Sequence, residues 1–135
     1  MTKSRKSIKS GFSLMPTAFI SMVGMYLLAP ALQAQVGVPE YSIACDRGEG
    51  DACYNLGLLY YEGWGLIQDK WKGMALFAKG CDRGSARACY NLGAIYANGD
   101  PVGQDRVKAK MYMRRALSLD PGYSQAKQAL AALEG

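Results

Sequence analysis

The 135-residue sequence predicts an all-α fold, in which two full repeats of 36 residues stack as antiparallel helix pairs between flanking half-repeats. Three observations support this prediction. Residues 42–77 match residues 78–113 at fifteen positions without a gap. Within each repeat, apolar residues recur at the three- and four-residue spacing of a helix face. Glycines follow each predicted helix, where a left-handed C-cap would end it. A fixed period of this length is typical of solenoid proteins.

The N-terminus has the residue order of a secretory signal peptide. Four basic residues come first, an apolar run covers residues 12–28, and small residues follow. We therefore predict a signal peptide over residues 1–34, with cleavage after Ala31 or Ala34, and a repeat domain over residues 35–135. The alternative is an uncleaved membrane anchor, because the apolar run approaches the ~18 residues that can span a bilayer.

The repeat domain opens with a half-repeat, since residues 38–47 resemble the end of a second helix. The first helix of each full repeat follows. It has one apolar face, built in the first repeat from Ala52, Leu56 and Tyr60. Gly63 lies where a C-cap would end this helix, and Gly99 and the N-cap candidate Ser85 bound the corresponding helix of the second repeat.

The second helices begin at Asp69 and Asp105, because aspartate is a favoured N-cap residue. A closing helix follows within residues 123–134, and its polar outer face is what the end of a solenoid requires. Each second helix carries a stripe of small and apolar residues that permits close helix packing, which in the first repeat consists of Gly73, Leu76, Phe77, Gly80 and Cys81.

Charge and composition exclude several classes of function. The formal net charge is +5, but from residue 35 onward 12 Lys and Arg residues face 11 Asp and Glu residues. The basic charge therefore lies mostly at the N-terminal tip, and we expect no nucleic-acid partner. The chain has no histidine, which excludes imidazole-based catalysis and imidazole metal ligands. We expect neither a cofactor nor a metal.

Two short motifs occur once in each repeat and resemble a known family. Cys-Asp-Arg-Gly stands at 45–48 and 81–84, and Ala-Cys-Tyr-Asn-Leu-Gly stands at 52–57 and 88–93. They resemble the Sel1-like repeat, a relative of the tetratricopeptide repeat, over about residues 40–134. The doubled cysteines are similar to those of its cysteine-rich branch, the Helicobacter cysteine-rich proteins. The resemblance implies a right-handed α-solenoid. The sequence departs from the family pattern at Gly73, in the second helix of the first repeat, where the family usually has alanine.

Each cysteine pair spans a predicted helix end, a glycine turn and the first turn of the next helix. This spacing is compatible with the Cα separation that a disulfide needs, and an oxidising compartment preserves disulfides. Four cysteines permit three pairings, of which the resemblance implies Cys45–Cys53 with Cys81–Cys89. A redox pair or a thiolate metal site is the alternative, although the Cys-x-x-Cys spacing of such sites is absent.

The resemblance implies that the protein binds other proteins or peptides on a concave face formed by its first helices. In tetratricopeptide-like domains, asparagines on that face bond the backbone of an extended peptide, which here points to Asn55 and Asn91. The alternative is that the repeated residues are packing residues of the repeat itself. The predicted binding face comprises Tyr54, Asn55, Leu58, Tyr61, Arg87, Tyr90, Asn91 and Asn98.

Together these features predict an exported, disulfide-linked adaptor of the cell envelope, periplasmic or secreted, with a protein or peptide partner. Contact with a membrane is expected only through the N-terminal segment, if it is uncleaved. The alternative is a β-lactamase or another cell-wall-related hydrolase, because Ser124 and Lys127 match a Ser-x-x-Lys motif. The companion motifs Ser-Asp-Asn and Lys-Thr-Gly are absent, so an enzyme is not favoured. No feature indicates an oligomeric state.

The first prediction concerns processing and cysteine pairing in the exported protein. We expect its first residue to be Leu32 or Gln35 and its disulfides to be the two that the resemblance implies. N-terminal peptide mass spectrometry and non-reducing peptide mapping measure both. Free thiols, or a crossed pairing between the repeats, in protein exported by its native host would contradict the disulfide prediction.

Overall fold

The computed structural model describes residues 37–135, so the predicted signal peptide at 1–34 lies outside the described residues. In residues 37–135 the chain forms six helices and no strand, which confirms the all-α solenoid of antiparallel helix pairs. None of these helices is long and apolar enough to cross a membrane. The helices are α1, which includes residues 37–46, α2 (Gly50–Glu62), α3 (Lys70–Asp82), α4 (Ala86–Asn98), α5 (Arg106–Leu119) and α6 (Ser124–Glu134).

The stack has two kinds of helix. We call α2, α4 and α6 the inner helices and α1, α3 and α5 the outer helices. Within each full repeat an inner helix packs along the outer helix that follows it, α2 on α3 and α4 on α5. Successive repeats meet where α3 packs on α4 and where α2 contacts α4. The closing helix α6 packs on α5 and contacts α4.

Residues that are identical in the two repeats make the same local contacts. Gly63 and Gly99 end the inner helices with φ values of 76° and 81°, a left-handed conformation that suits glycine. The side chain of Gln68 donates a hydrogen bond of 2.9 Å to the carbonyl oxygen of Tyr61. Gln104 donates one of 2.8 Å to Ala97. These amides satisfy carbonyls that the end of an α-helix leaves without a partner.

The outer helices start as the sequence predicts. The carboxylates of Asp69 and Asp105 each accept a hydrogen bond of 3.0 Å from a backbone N–H in the first turn, that of Lys72 and that of Lys108. Their own backbone N–H groups donate back to the preceding inner helix at 2.7 and 2.8 Å. Ser85 likewise caps α4, since its hydroxyl accepts from the N–H of Ala88. The repeated Gln-Asp motif therefore fixes the turn between the two helices of each repeat.

The two helices of the first repeat approach each other most closely at glycines. A Cβ atom added at Gly73 would lie 2.7 Å from the Cβ of Tyr61 and 2.8 Å from the carbonyl oxygen of Gly57. In the second repeat, Ala97 and Ala109 occupy the positions of Tyr61 and Gly73. The glycine that departs from the family pattern therefore lies where the backbones of α2 and α3 are too close for a Cβ atom.

The buried residues form one main cluster and one smaller cluster. The main cluster runs through both repeats into α6, where Ala126 is fully buried. The smaller one lies at the N-terminal end and contains Cys45, Ala52 and Cys53. The main cluster consists of Phe77, Cys81, Ala88, Cys89, Leu92, Ile95, Met113, Ala116 and Ala126.

The second prediction is that Gly73→Ala destabilises the protein, although alanine is the better helix former. The added methyl group meets backbone and Cβ atoms at less than 3.0 Å. Overpacking of this kind costs about 1–3 kcal/mol, which exceeds the ~1 kcal/mol that alanine gains in helix propensity. The difference between the two terms predicts that the free energy of unfolding falls by up to about 2 kcal/mol in chemical denaturation.

Two variants control this experiment. Gly103→Ala adds a methyl group where no atom lies within 4 Å, so its free energy of unfolding should change by less than about 0.5 kcal/mol. Tyr61→Ala keeps the Cβ and backbone atoms that the added methyl group meets, so combining it with Gly73→Ala should not relieve the overpacking. An increase in stability for Gly73→Ala alone would show that the helices do not approach this closely.

Candidate functional site

The four cysteines form two disulfides, Cys45–Cys53 and Cys81–Cys89, in the pairing that the resemblance implies. In each, the Cα atoms lie 4.6 Å apart, within the range of about 4.4–6.8 Å usual for disulfides. No cysteine is free. The thiolate metal site therefore lacks its ligands, and in residues 37–135 no group of three or more His, Cys, Asp or Glu residues is placed to hold a metal ion.

Each disulfide links the end of an outer helix to the start of the next inner helix. Cys45 lies in α1 and Cys53 in α2, whereas Cys81 lies in α3 and Cys89 in α4. All four side chains are at most 1% exposed. The bridges therefore fix the position of α2 and of α4, the two helices that carry the predicted binding residues.

A polar cluster at the start of α4 sets this helix beside α2. Ser85 is buried, and its hydroxyl donates a hydrogen bond of 2.7 Å to the carboxylate of Asp51 while capping α4. Arg87 lies 3.3 Å from the same carboxylate, and its guanidinium lies 4.7 Å from the centre of the Tyr54 ring. Asp51 and Arg87 occupy equivalent positions in the two repeats, so the repeats are joined by opposite charges.

Two cavities open beside α4, on the side of the stack formed by the inner helices, which we call the inner face. The first has a volume of about 160 Å³ and lies between α2 and α4, and the second has a volume of about 280 Å³ and lies between α4 and α6. Both are lined by Ala94 and Asn98, so they adjoin along α4. The first is also lined by Tyr61, Glu62, Phe77, Asn91 and Ile95, and the second by Tyr90, Ala97, Met113, Ala129, Ala132 and Leu133.

The structure divides the eight predicted binding residues into two groups. Four of them line the cavities: Tyr61 and Asn91 the first, Tyr90 the second, and Asn98 both. The other four, Tyr54, Asn55, Leu58 and Arg87, line neither. Of these, Tyr54 and Leu58 pack against the main core, and Asn55 is half-buried.

Tyr61 is held at the edge of the first cavity by three contacts. Its ring lies 5.8 Å from the ring of Phe77, and its hydroxyl donates a hydrogen bond of 2.8 Å to the carbonyl oxygen of Asp100. Lys70 forms an ion pair with the carboxylate of Asp100 and lies 5.8 Å from the Tyr61 ring. Burial raises the pKa of Tyr61 above its ordinary value, so the phenol is neutral and donates at physiological pH.

The second cavity depends on residues that the sequence analysis did not single out. Ala129, Ala132 and Leu133 come from α6, for which only a closing role was predicted. Their three- and four-residue spacing places them on one side of α6. Two contacts hold this helix in place: the guanidinium of Arg106 donates to the carbonyl oxygen of Leu133 at 2.7 Å, and the rings of Tyr90 and Tyr123 lie 5.2 Å apart.

The Ser-x-x-Lys motif lies at the start of α6. Ser124 is the first residue of this helix and Lys127 follows one turn later, and both side chains are exposed. Neither residue lies in the buried, enclosed environment that activates a catalytic serine–lysine pair. The geometry therefore gives the hydrolase alternative no support.

A family model for the Sel1 repeat matches residues 50–85 and 86–121, which are the two full repeats of the fold. The chain belongs to the Sel1 repeat family. Sel1 repeats are generally protein-interaction modules. The family boundaries place each repeat as an inner helix followed by an outer helix, so the Cys81–Cys89 disulfide joins one Sel1 repeat to the next.

The fold is also similar to solved structures. One is a Sel1 repeat protein from Oxalobacter formigenes, with a TM-score of 0.62 and 24% sequence identity. The match covers 68% of this chain and 37% of that protein, so the chain spans little more than a third of its length. At this identity the likeness shows the fold alone. The search of curated proteins found no match.

Proposed function

We propose that the protein is an exported adaptor of the cell envelope that holds an extended peptide segment of a partner protein on its inner face. One observation carries this proposal: two adjoining cavities share Ala94 and Asn98 along α4. The signal-peptide order of the N-terminus and the two disulfides support the envelope location, because disulfides persist in oxidising compartments.

The size and lining of the cavities suit side chains rather than a whole small molecule. At about 160 and 280 Å³, each is smaller than the ~300–1,000 Å³ of a usual small-molecule pocket. The second is lined mostly by alanine, leucine and methionine side chains. The first is lined by aromatic and aliphatic groups beside two asparagines and Glu62. Every second side chain of an extended peptide points to the same side, at intervals of about 6.6 Å. One peptide can therefore fill both cavities with apolar side chains.

Asn91 and Asn98 supply the polar part of this surface. Neither side chain forms a hydrogen bond with another group of residues 37–135. An amide offers both donors and an acceptor, which matches the paired N–H and C=O groups of an extended peptide backbone. We propose that Asn91 and Asn98 make these bonds, with Tyr61 and Tyr90 beside them. The sequence-based proposal for Asn55 is weaker, because that side chain lines neither cavity.

The third prediction tests the cavity between α4 and α6. Peptides selected from a random display library on the oxidised protein provide the ligand, and calorimetry measures their affinity. Ala132→Trp places an indole in this cavity, and we expect it to weaken binding at least tenfold, or about 1.4 kcal/mol. Ala131→Trp is the matched control, since Ala131 is also exposed on α6 but does not line the cavity.

Three outcomes would contradict the proposal. They are failure to select any peptide, equal affinity for the wild-type protein and Ala132→Trp, and equal weakening by both tryptophan variants. Thermal melts of the two variants, which change exposed residues only, verify that each remains folded.

The fourth prediction concerns the asparagines. Asn91→Ala with Asn98→Ala should weaken the same peptides by about 1–3 kcal/mol, because the bound peptide backbone then buries groups without partners. The melting temperature should hardly change, since neither amide bonds to the rest of the described chain. Asn55→Ala is the control and should leave affinity nearly unchanged. If the double variant unfolds instead, the asparagines are packing residues, as the alternative from the sequence holds.

A further inference from the structure

Positive charge is concentrated on two of the outer helices, α3 and α5, whereas the outer helix α1 carries two acidic residues and no basic one. α5 carries five basic residues and no acidic one, and α3 carries three basic residues and one acidic residue. The inner helix α2 instead carries two acidic residues and no basic one. The part of the outer side formed by α3 and α5 is therefore basic, although residues 35–135 are close to neutral as a whole.

The basic residues near the ends of the outer helices are neutralised, whereas those near the starts are neutralised only in part. Lys79 pairs with Asp46 at 2.8 Å, Arg114 with Glu134 at 2.8 Å, and Arg115 with Asp82 at 3.8 Å. Near the helix starts, Lys70 pairs with Asp100 and Lys108 lies 3.9 Å from Asp105, whereas Lys72 and Lys110 form no ion pair within residues 37–135. The ammonium groups of Lys72 and Lys108 lie 4.0 and 5.2 Å from the ring centres of Tyr60 and Tyr96. Asp69 and Asp105, the carboxylates nearest in sequence, already accept backbone hydrogen bonds as N-caps.

Large apolar side chains project from the same helix starts. Trp71 is 62% exposed, Val107 79% and Met111 51%. Trp71 and Val107 occupy equivalent positions in the two repeats, and each comes two residues before a buried residue of the packed stripe. Two residues turn a helix by about 200°, so these side chains point away from the core. Met111 lies one turn after Val107 on the same side of α5.

We propose that this surface docks on an anionic lipid membrane. The docking surface consists of Trp71, Val107 and Met111 together with Lys72, Lys108 and Lys110. A lipid headgroup region accepts scattered apolar side chains without a complementary pocket, and tryptophan is enriched at that depth. Lysine stems lie along the apolar zone while their ammonium groups reach anionic headgroups. This contact is peripheral, and it leaves the inner face open toward the aqueous side.

Fluorescence of Trp71 tests the proposal locally, in the predicted exported protein (residues 35–135) with both disulfides formed, because the basic and apolar N-terminal segment would itself bind vesicles. Trp64 is the other tryptophan of the chain, so Trp64→Phe leaves Trp71 as the reporter. Vesicles of equal parts phosphatidylglycerol and phosphatidylcholine should shift its emission to the blue, and brominated acyl chains should quench it. Vesicles of phosphatidylcholine alone should do neither, and added salt should reverse the shift.

Matched lysine variants measure the charge contribution. Each basic residue near an anionic surface contributes about 1 kcal/mol, so Lys110→Gln should weaken partitioning about fivefold. Lys127→Gln, the same change at an exposed residue of α6, should leave partitioning unchanged. The proposal is wrong if Trp71 emission does not respond to anionic vesicles, responds equally to neutral ones, or if both lysine variants weaken binding equally. A blue shift on concentrating the protein without vesicles would show that the surface binds a second copy instead.

Discussion

The close approach of α2 and α3 is the constraint on which the first repeat depends. Because no side chain separates the helices at Gly57 and Gly73, the ring of Phe77 packs directly over Gly57: a Cβ atom there would lie 2.8 Å from it. The rings of Tyr54 and Tyr61 then pack against Phe77 at 5.9 and 5.8 Å. Phe77 also lines the first cavity, so the glycine contact determines the depth of that side of the inner face.

Disulfides link two of the junctions between an outer helix and the next inner helix, but not the third, between α5 and α6. Disulfides secure α2 to α1 and α4 to α3, which matters in a solenoid with only two full repeats, because three or more are usually needed to bury a continuous core. A nine-residue loop closed by a disulfide contributes about 2.5 kcal/mol in the chain-entropy model. At the next junction, Leu117 and Lys127 stand at the helix positions of the cysteines, and α6 is held by hydrogen bonds, an ion pair and packing alone.

The sequence was sufficient to predict features that repeat every 36 residues. The helix caps were predictable because each depends only on residues within about one turn of the helix end. These caps are Gly63, Gly99, Asp69 and Asp105. The shape of the inner face was not predictable, because it depends on how far each helix turns about its own axis. That rotation brings Asn98 to both cavities and leaves Asn55 at neither. The contribution of α6 was missed because its contacts with α4 join residues about 35 positions apart.

The ion pair between Asp51 and Arg87 has a consequence for how such an array can grow. If the second repeat were an exact copy of the first, Asp51 would face glutamate in place of Ser85 and aspartate in place of Arg87. Three carboxylates would then meet, and their mutual repulsion would open the joint between neighbouring units. The two units are therefore complementary modules, not interchangeable ones. Gene duplication that copies whole pairs of units would keep this complementary joint, whereas tandem copies of the first unit alone would lose it.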